Sequence, residues 1–118
     1  MISRFDVNTE FVTQERCHIV EIHNNDKDPK CSVARARVEP GVTTSLHKLT
    51  GIIERYVILS GQGEVMIAGE GPVAVCEMDV VVIGDGQTQK ITNTGDQDLV
   101  FICICTPRFR QERYVQLE

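Results

Sequence analysis

Two ionisable side chains stand seven residues apart in the stretch GVTTSLHKLTGIIERYVILSG, which runs from Gly41 to Gly61. They are His47 and Glu54, one of only three histidines and a carboxylate placed just before an apolar run, YVIL. An imidazole and a carboxylate that converge offer two kinds of chemistry. They can share a divalent metal as nitrogen and oxygen ligands, or they can move a proton, because an imidazole titrates near neutral pH. Tyr56 lies two residues beyond Glu54 and shares its face of a strand, which adds a hydroxyl donor. Each residue also has a plain structural alternative. His47 can bond backbone at a loop–strand junction, Glu54 can sit at a solvent rim or pair with Arg35 or Arg37, and Tyr56 can be a core or rim residue.

The elements that must position these groups are strands. Turn signals recur at Asp26 to Pro29, Pro40-Gly41, Ser60 to Gly63, Gly69 to Pro72, Gly84 to Gly86 and Thr94 to Asp96. Most intervals between them are of strand length, the spacing of an all-β sandwich or barrel. The segments CHIVEIHN, SVARARVE, RYVILS, EVMIA, VAVCE, DVVVIG, QKITN and LVFICICT are rich in valine and isoleucine and show no helical repeat. In SVARARVE, Ala34, Ala36 and Val38 share one face and Arg35, Arg37 and Glu39 the other. In QKITN, Gln89, Ile91 and Asn93 face one way and Lys90 and Thr92 the other. VVVI and LVFICI are apolar on both faces, so both sides of those strands call for cover, by a second sheet or a partner subunit. A homodimer is expected on that ground. His18 and His23 lie five apart on the first strand, which predicts opposite faces and no shared site.

A chain of 118 residues suits one domain, with 42% hydrophobic and 25% charged residues as in an ordinary globular protein. The net charge of −5 and a pI near 5.2 argue against nucleic acid as a partner. The N-terminus has no apolar core of signal-peptide length, and no run approaches the about 18 apolar residues of a membrane span. No membrane partner and a cytoplasmic location are therefore expected. The five cysteines are odd in number, irregular in spacing and without a CxxC pair, which fits reduced thiols rather than disulfides or structural zinc. Cys103 and Cys105 share one face of the last apolar strand, as small core residues, and Cys103 could reach a pocket from there. The tail after Pro107, RFRQERYVQLE, is charged with scattered aromatics and reads as a short helix or an arm.

The spacing of Gly41, His47, Glu54 and Gly61 resembles the first motif of the cupin superfamily, G-x5-H-x-H, then E-x6-G, with Leu49 where the second histidine usually stands. A second motif, G-x5-P-x-G-x2-H-x3-N, is met by Gly86 and Asn93, with Met78, Gly84 and Gln89 in place of its glycine, proline and histidine. The ending ICTPRF is also similar to that of small single-domain cupins. The resemblance implies a double-stranded β-helix, a jelly-roll barrel with a pocket at one mouth, over about residues 33 to 105. A first strand at 17–24 and a tail at 107–118 complete a single domain.

Carried over from that resemblance, His47, Glu54 and Gln89 occupy metal-ligand positions for zinc, nickel, iron or manganese, while Leu49 has no donor atom. Arg35 and Cys103 are expected at the pocket. The implied function is a metal-dependent enzyme of isomerase, lyase or dioxygenase type, with His47, Glu54 and Tyr56 catalytic, acting on a small oxygen-rich metabolite such as a sugar or keto acid. The run ERYVILSGQGEV is similar to the cupin segment of mannose-6-phosphate-type isomerases. Two alternatives stand beside it: a non-catalytic small-molecule-binding cupin, and a metal-free epimerase using His47 as base and Tyr56 as acid.

Overall fold

Alternation of apolar and polar residues at a period of two lets a strand bury one face, as β5, β9 and β10 do here. The computed structural model describes all 118 residues, Met1 to Glu118, and shows eleven strands. These are β1 (Phe11–Val12), β2 (His18–His23), β3 (Ser32–Val38), β4 (His47–Leu49), β5 (Ile53–Ser60), β6 (Gln62–Ile67), β7 (Glu70–Cys76), β8 (Val80–Ile83), β9 (Thr88–Asn93), β10 (Leu99–Thr106) and β11 (Tyr114–Gln116). They form two antiparallel sheets, one of six strands in the order β1-β2-β3-β10-β5-β8 and one of five in the order β11-β4-β9-β6-β7. No helix is long and apolar enough to cross a membrane.

The two sheets face each other and enclose the core. Leu99, Phe101, Cys103 and Cys105 of β10 point inward, as do Glu54, Tyr56 and Ile58 of β5 and Gln89, Ile91 and Asn93 of β9. At one end Val38, Ile58, Val65 and Leu99 fill the space between the sheets. At the other, β3 and β10 contribute mostly small side chains, Ser32, Ala34, Ala36, Cys103 and Cys105, and a cavity opens there. The chain crosses from the first sheet to the second at Gly61, whose φ of 85° suits glycine and where an added Cβ would lie 2.7 Å from the Asp98 carbonyl oxygen.

The expected strands are present, and three more join them. β1, β4 and β11 are too short to show an alternation. The tail does not project as an arm. It makes a 3-10 turn at Gln111–Arg113 and then pairs as β11 with β4, matching Tyr114 with Leu49 and Gln116 with His47. His18 and His23 also depart from expectation. A register shift between Glu21 and His23 sets His23 opposite Val33 and His18 opposite Arg37, so both stand on the outer face. There His23 bonds Ser3 and Asp28, and His18 pairs with Glu39, so neither approaches the cavity.

Candidate functional site

The cavity holds about 370 Å³ and is lined by β2, β3, β4, β5, β9 and β10, by residues 11–15 and Cys17, and by Phe109, Gln111 and Tyr114 of the C-terminal segment. His47, Glu54, Tyr56 and Cys103 all line it. Two expected residues do not. Arg35 alternates out of phase with Ala34 and Ala36, so its guanidinium lies on the outer face, where it pairs with Glu10 and covers the Phe5 ring. Gln89 is fully buried, behind the cavity wall rather than on it.

His47 is fixed from one side. Its Nδ1 lies 2.7 Å from the Ser45 carbonyl oxygen and 3.0 Å from Oε2 of Glu15. Both partners are acceptors, so Nδ1 carries the hydrogen. Tyr114 stacks on the ring at 5.3 Å between centroids, and its hydroxyl donates to the same Glu15 oxygen at 3.4 Å. Nε2 has no hydrogen-bond partner in the protein and is not among its sealed, unpartnered polar atoms. It is the free edge of a ring that lines the cavity. Burial, the largest influence on this ring, opposes its charge. The Glu15 hydrogen bond and charge, the Ser45 carbonyl and Glu54 together outweigh it and hold the His47 pKa above the usual imidazole value.

Across the cavity Glu54, Gln89 and Tyr56 form a chain. The Gln89 amide nitrogen donates to Oε1 of Glu54 at 2.8 Å, and the Tyr56 hydroxyl donates to Oε1 of Gln89. The thiol of Cys105 donates to the other Glu54 oxygen at 3.6 Å. Burial raises the Glu54 pKa above the ordinary carboxylate value, and the Gln89 bond and the His47 charge only partly offset it. Burial, and then the Glu54 charge, also push the Tyr56 hydroxyl and the Cys103 thiol well up, so both stay protonated.

The donor set does not fit a metal centre. Leu49 offers no donor, and the one Gln89 atom able to ligate, its oxygen, accepts from Tyr56. No group of three His, Cys, Asp or Glu side chains anywhere in the chain converges as a metal site. The Arg35 and Arg37 guanidiniums are held by Glu10, so neither pairs with Glu54.

Glu15 and Tyr114 escaped the sequence reading. Glu15 lies in a polar run, TQER, with no periodic pattern, and meets His47 only through the fold. The tail aromatics Phe109 and Tyr114 were the one available signal, since aromatic side chains in a charged segment call for a surface to cover.

No protein-family model matches the chain. It is 37% identical over 71 residues to an oxalate-binding protein of Thermotoga maritima, a match that covers 60% of this chain and 58% of the relative. Among solved structures, Pac13 of Streptomyces, a nucleoside dehydratase, superposes with a TM-score of 0.81 at 15% identity, covering 100% of this chain and 92% of that one. The cupin domain of Schizosaccharomyces pombe Cnp3 superposes with a TM-score of 0.73 at 14% identity, over 86% of this chain and 72% of that one. These likenesses bear out the all-β jelly-roll barrel.

Proposed function

We propose that this chain, a small cupin by its fold, binds a small oxygen-rich metabolite inside the barrel and acts on it by metal-independent proton transfer, as an isomerase or lyase. The observation that carries this reading is the His47 ring, held at Nδ1 by Ser45 and Glu15 with Nε2 left free. When the ring is protonated, which its partners promote, Nε2–H donates to a substrate oxygen. Glu54, whose burial makes it a stronger base when ionised, takes a proton from the neighbouring carbon. Tyr56 serves as a positioning residue rather than an acid, because its hydroxyl is spent on Gln89.

The cavity wall carries no lysine or arginine but three carboxylates, Glu15, Glu21 and Glu54. A neutral hydroxylated substrate therefore suits it better than a sugar phosphate or a dianion such as oxalate, which would meet one imidazolium among those carboxylates. The T. maritima relative supports a second reading, a binding protein without catalysis. The five cysteines are free thiols, which supports a reducing compartment such as the cytoplasm. The apolar outer strands support a homodimer.

The test is a thermal-shift screen of neutral polyols, nucleosides and lactones on protein purified without a chelator or histidine tag, with the metal content measured alongside. We expect a saturable ligand in metal-free protein. Its turnover should fall about 10²-fold or more in His47→Gln, the range of one lost acid–base group. Binding retained with no turnover in wild-type protein favours the binding reading, and stoichiometric metal removes the proton-transfer reading.

A further inference from the structure

Residues 108–111 alternate between two sides. Phe109 and Gln111 line the barrel cavity, while Arg108 and Arg110 face a separate pocket, which Arg113, Thr50 and Glu112 also line. Three guanidiniums thus gather at one place on a chain whose net charge is −5. Only one carboxylate answers them. Glu112 lies 3.7 Å from Arg110, in a pair exposed to solvent. Arg108 donates to the neutral Oδ1 of Asn24 at 2.8 Å, and its Nε is buried with no partner. Arg113 donates to the Thr50 carbonyl oxygen at 3.3 Å. Neither has a carboxylate partner.

The backbone fixes this arrangement. The Arg108 N–H donates to Pro29, Thr50 N–H to Arg113, and Arg113 N–H to Arg110, at 3.2, 2.8 and 3.0 Å respectively. The Arg113 guanidinium crosses Gly51 so closely that an added Cβ there would lie 2.3 Å from its Nη1. Planar guanidinium forks match the oxygens of a tetrahedral oxyanion two at a time. An oxyanion in the pocket would answer the guanidinium charges that no carboxylate meets.

We infer that Arg108, Arg110 and Arg113 form an oxyanion site outside the barrel, for free phosphate or the phosphate group of a small phosphorylated metabolite. The site is separate from the cavity, and its ligand is an anion, unlike the neutral one proposed there. Titration calorimetry with inorganic phosphate, in chloride buffer of matched ionic strength, tests it. Wild-type protein should bind one phosphate saturably. Arg113→Gln should weaken that binding about tenfold or more, the effect of losing one charge-assisted bond. Arg110→Gln should weaken it as well while disturbing no buried contact, and Lys90→Gln, on β9 beside Glu118 and not part of the pocket lining, should leave it unchanged. Glycerol 3-phosphate separates the two sources: tighter binding than phosphate assigns an ester, and equal binding a free oxyanion. Absence of saturable phosphate binding in wild-type protein, or equal affinity in both arginine variants, overturns the inference.

Discussion

At the scale of single residues, the Glu15–His47 contact governs how the cavity responds to pH. His47 has its folded pKa raised above the usual 6.5. A raised pKa means the folded state holds the proton more tightly than the unfolded chain does. The stabilisation is therefore fully present below 6.5 and is lost as pH rises through the folded value. Glu54 is raised too, so its ionisation opposes folding as pH climbs past its ordinary 4.5. Both groups make stability fall from weakly acid towards alkaline pH. In Glu15→Gln the hydrogen bond and charge that do most to offset burial are gone, and the His47 pKa should drop below that of the wild type. Titration of the imidazole resonances by NMR reads this directly. An unchanged His47 titration would mean that Glu15 does not hold the ring. The same variant should flatten the thermal stability profile above pH 6.5, where wild-type protein loses the His47 contribution.

At the scale of elements, Asn93 shows what the second motif does structurally. Its side chain is 1% exposed at the end of β9. The amide nitrogen donates to the Val38 carbonyl at 2.9 Å and the Gln97 carbonyl at 2.7 Å, and the amide oxygen accepts from Gly95 N–H at 2.9 Å. One side chain thus binds the β9–β10 turn to the end of β3, across the two sheets. Asn93→Ala should cost about 2–3 kcal/mol, because it leaves buried backbone groups without partners. Urea unfolding would measure it, and a loss below about 0.5 kcal/mol, the level of a neutral surface change, would deny Asn93 this role. Residues such as these mark what the sequence makes legible. Ala34, Ala36 and Val38 against Arg35 and Arg37, or Gln89, Ile91 and Asn93 against Lys90 and Thr92, fall on their expected faces because strand periodicity is local. His47, Glu54 and Tyr56 reach one cavity because the motif spacing encodes a barrel wall. Gln89 faces inward as expected, yet its oxygen goes to Tyr56, a choice set by a side chain 33 positions away. Arg35 was expected at the pocket even though alternation with Ala34 places it outside. The β2 register shift and the Glu15 contact depend on packing that no local pattern records.

At the scale of the whole molecule, the outer face of the six-stranded sheet is largely apolar and open at its β8 end. Val80, Val57 and Ile102 stand opposite one another along one cross-strand row. Val82, Arg55 and Ile104 form the next, so the rows cross β8, β5 and β10. Val80 is 60% and Val82 59% exposed, and Leu59 and Ile53 are exposed on the same side. The inner face of these strands is covered by the opposing sheet, while the outer face is bare in the single chain, so the two-sided apolar pattern is only half used. The N-terminal segment caps the same sheet further along, through Glu10 on Arg35 and Arg37, and leaves the β8 end uncovered. β8 is also an edge strand, and a bare apolar edge invites association unless a partner closes it. A second copy turned about a twofold axis would lay these valines on each other and satisfy both subunits with one surface. A stable pair needs about 800 Å² of contact from each partner, which requires β5 and β10 as well as β8. The protein should therefore run as a dimer in light scattering at micromolar concentration. Val80→Asp combined with Val82→Asp should give a monomer with unchanged circular dichroism, because neither side chain touches the core. A wild-type monomer at those concentrations, or a dimer that survives both aspartates, would place the contact elsewhere or nowhere.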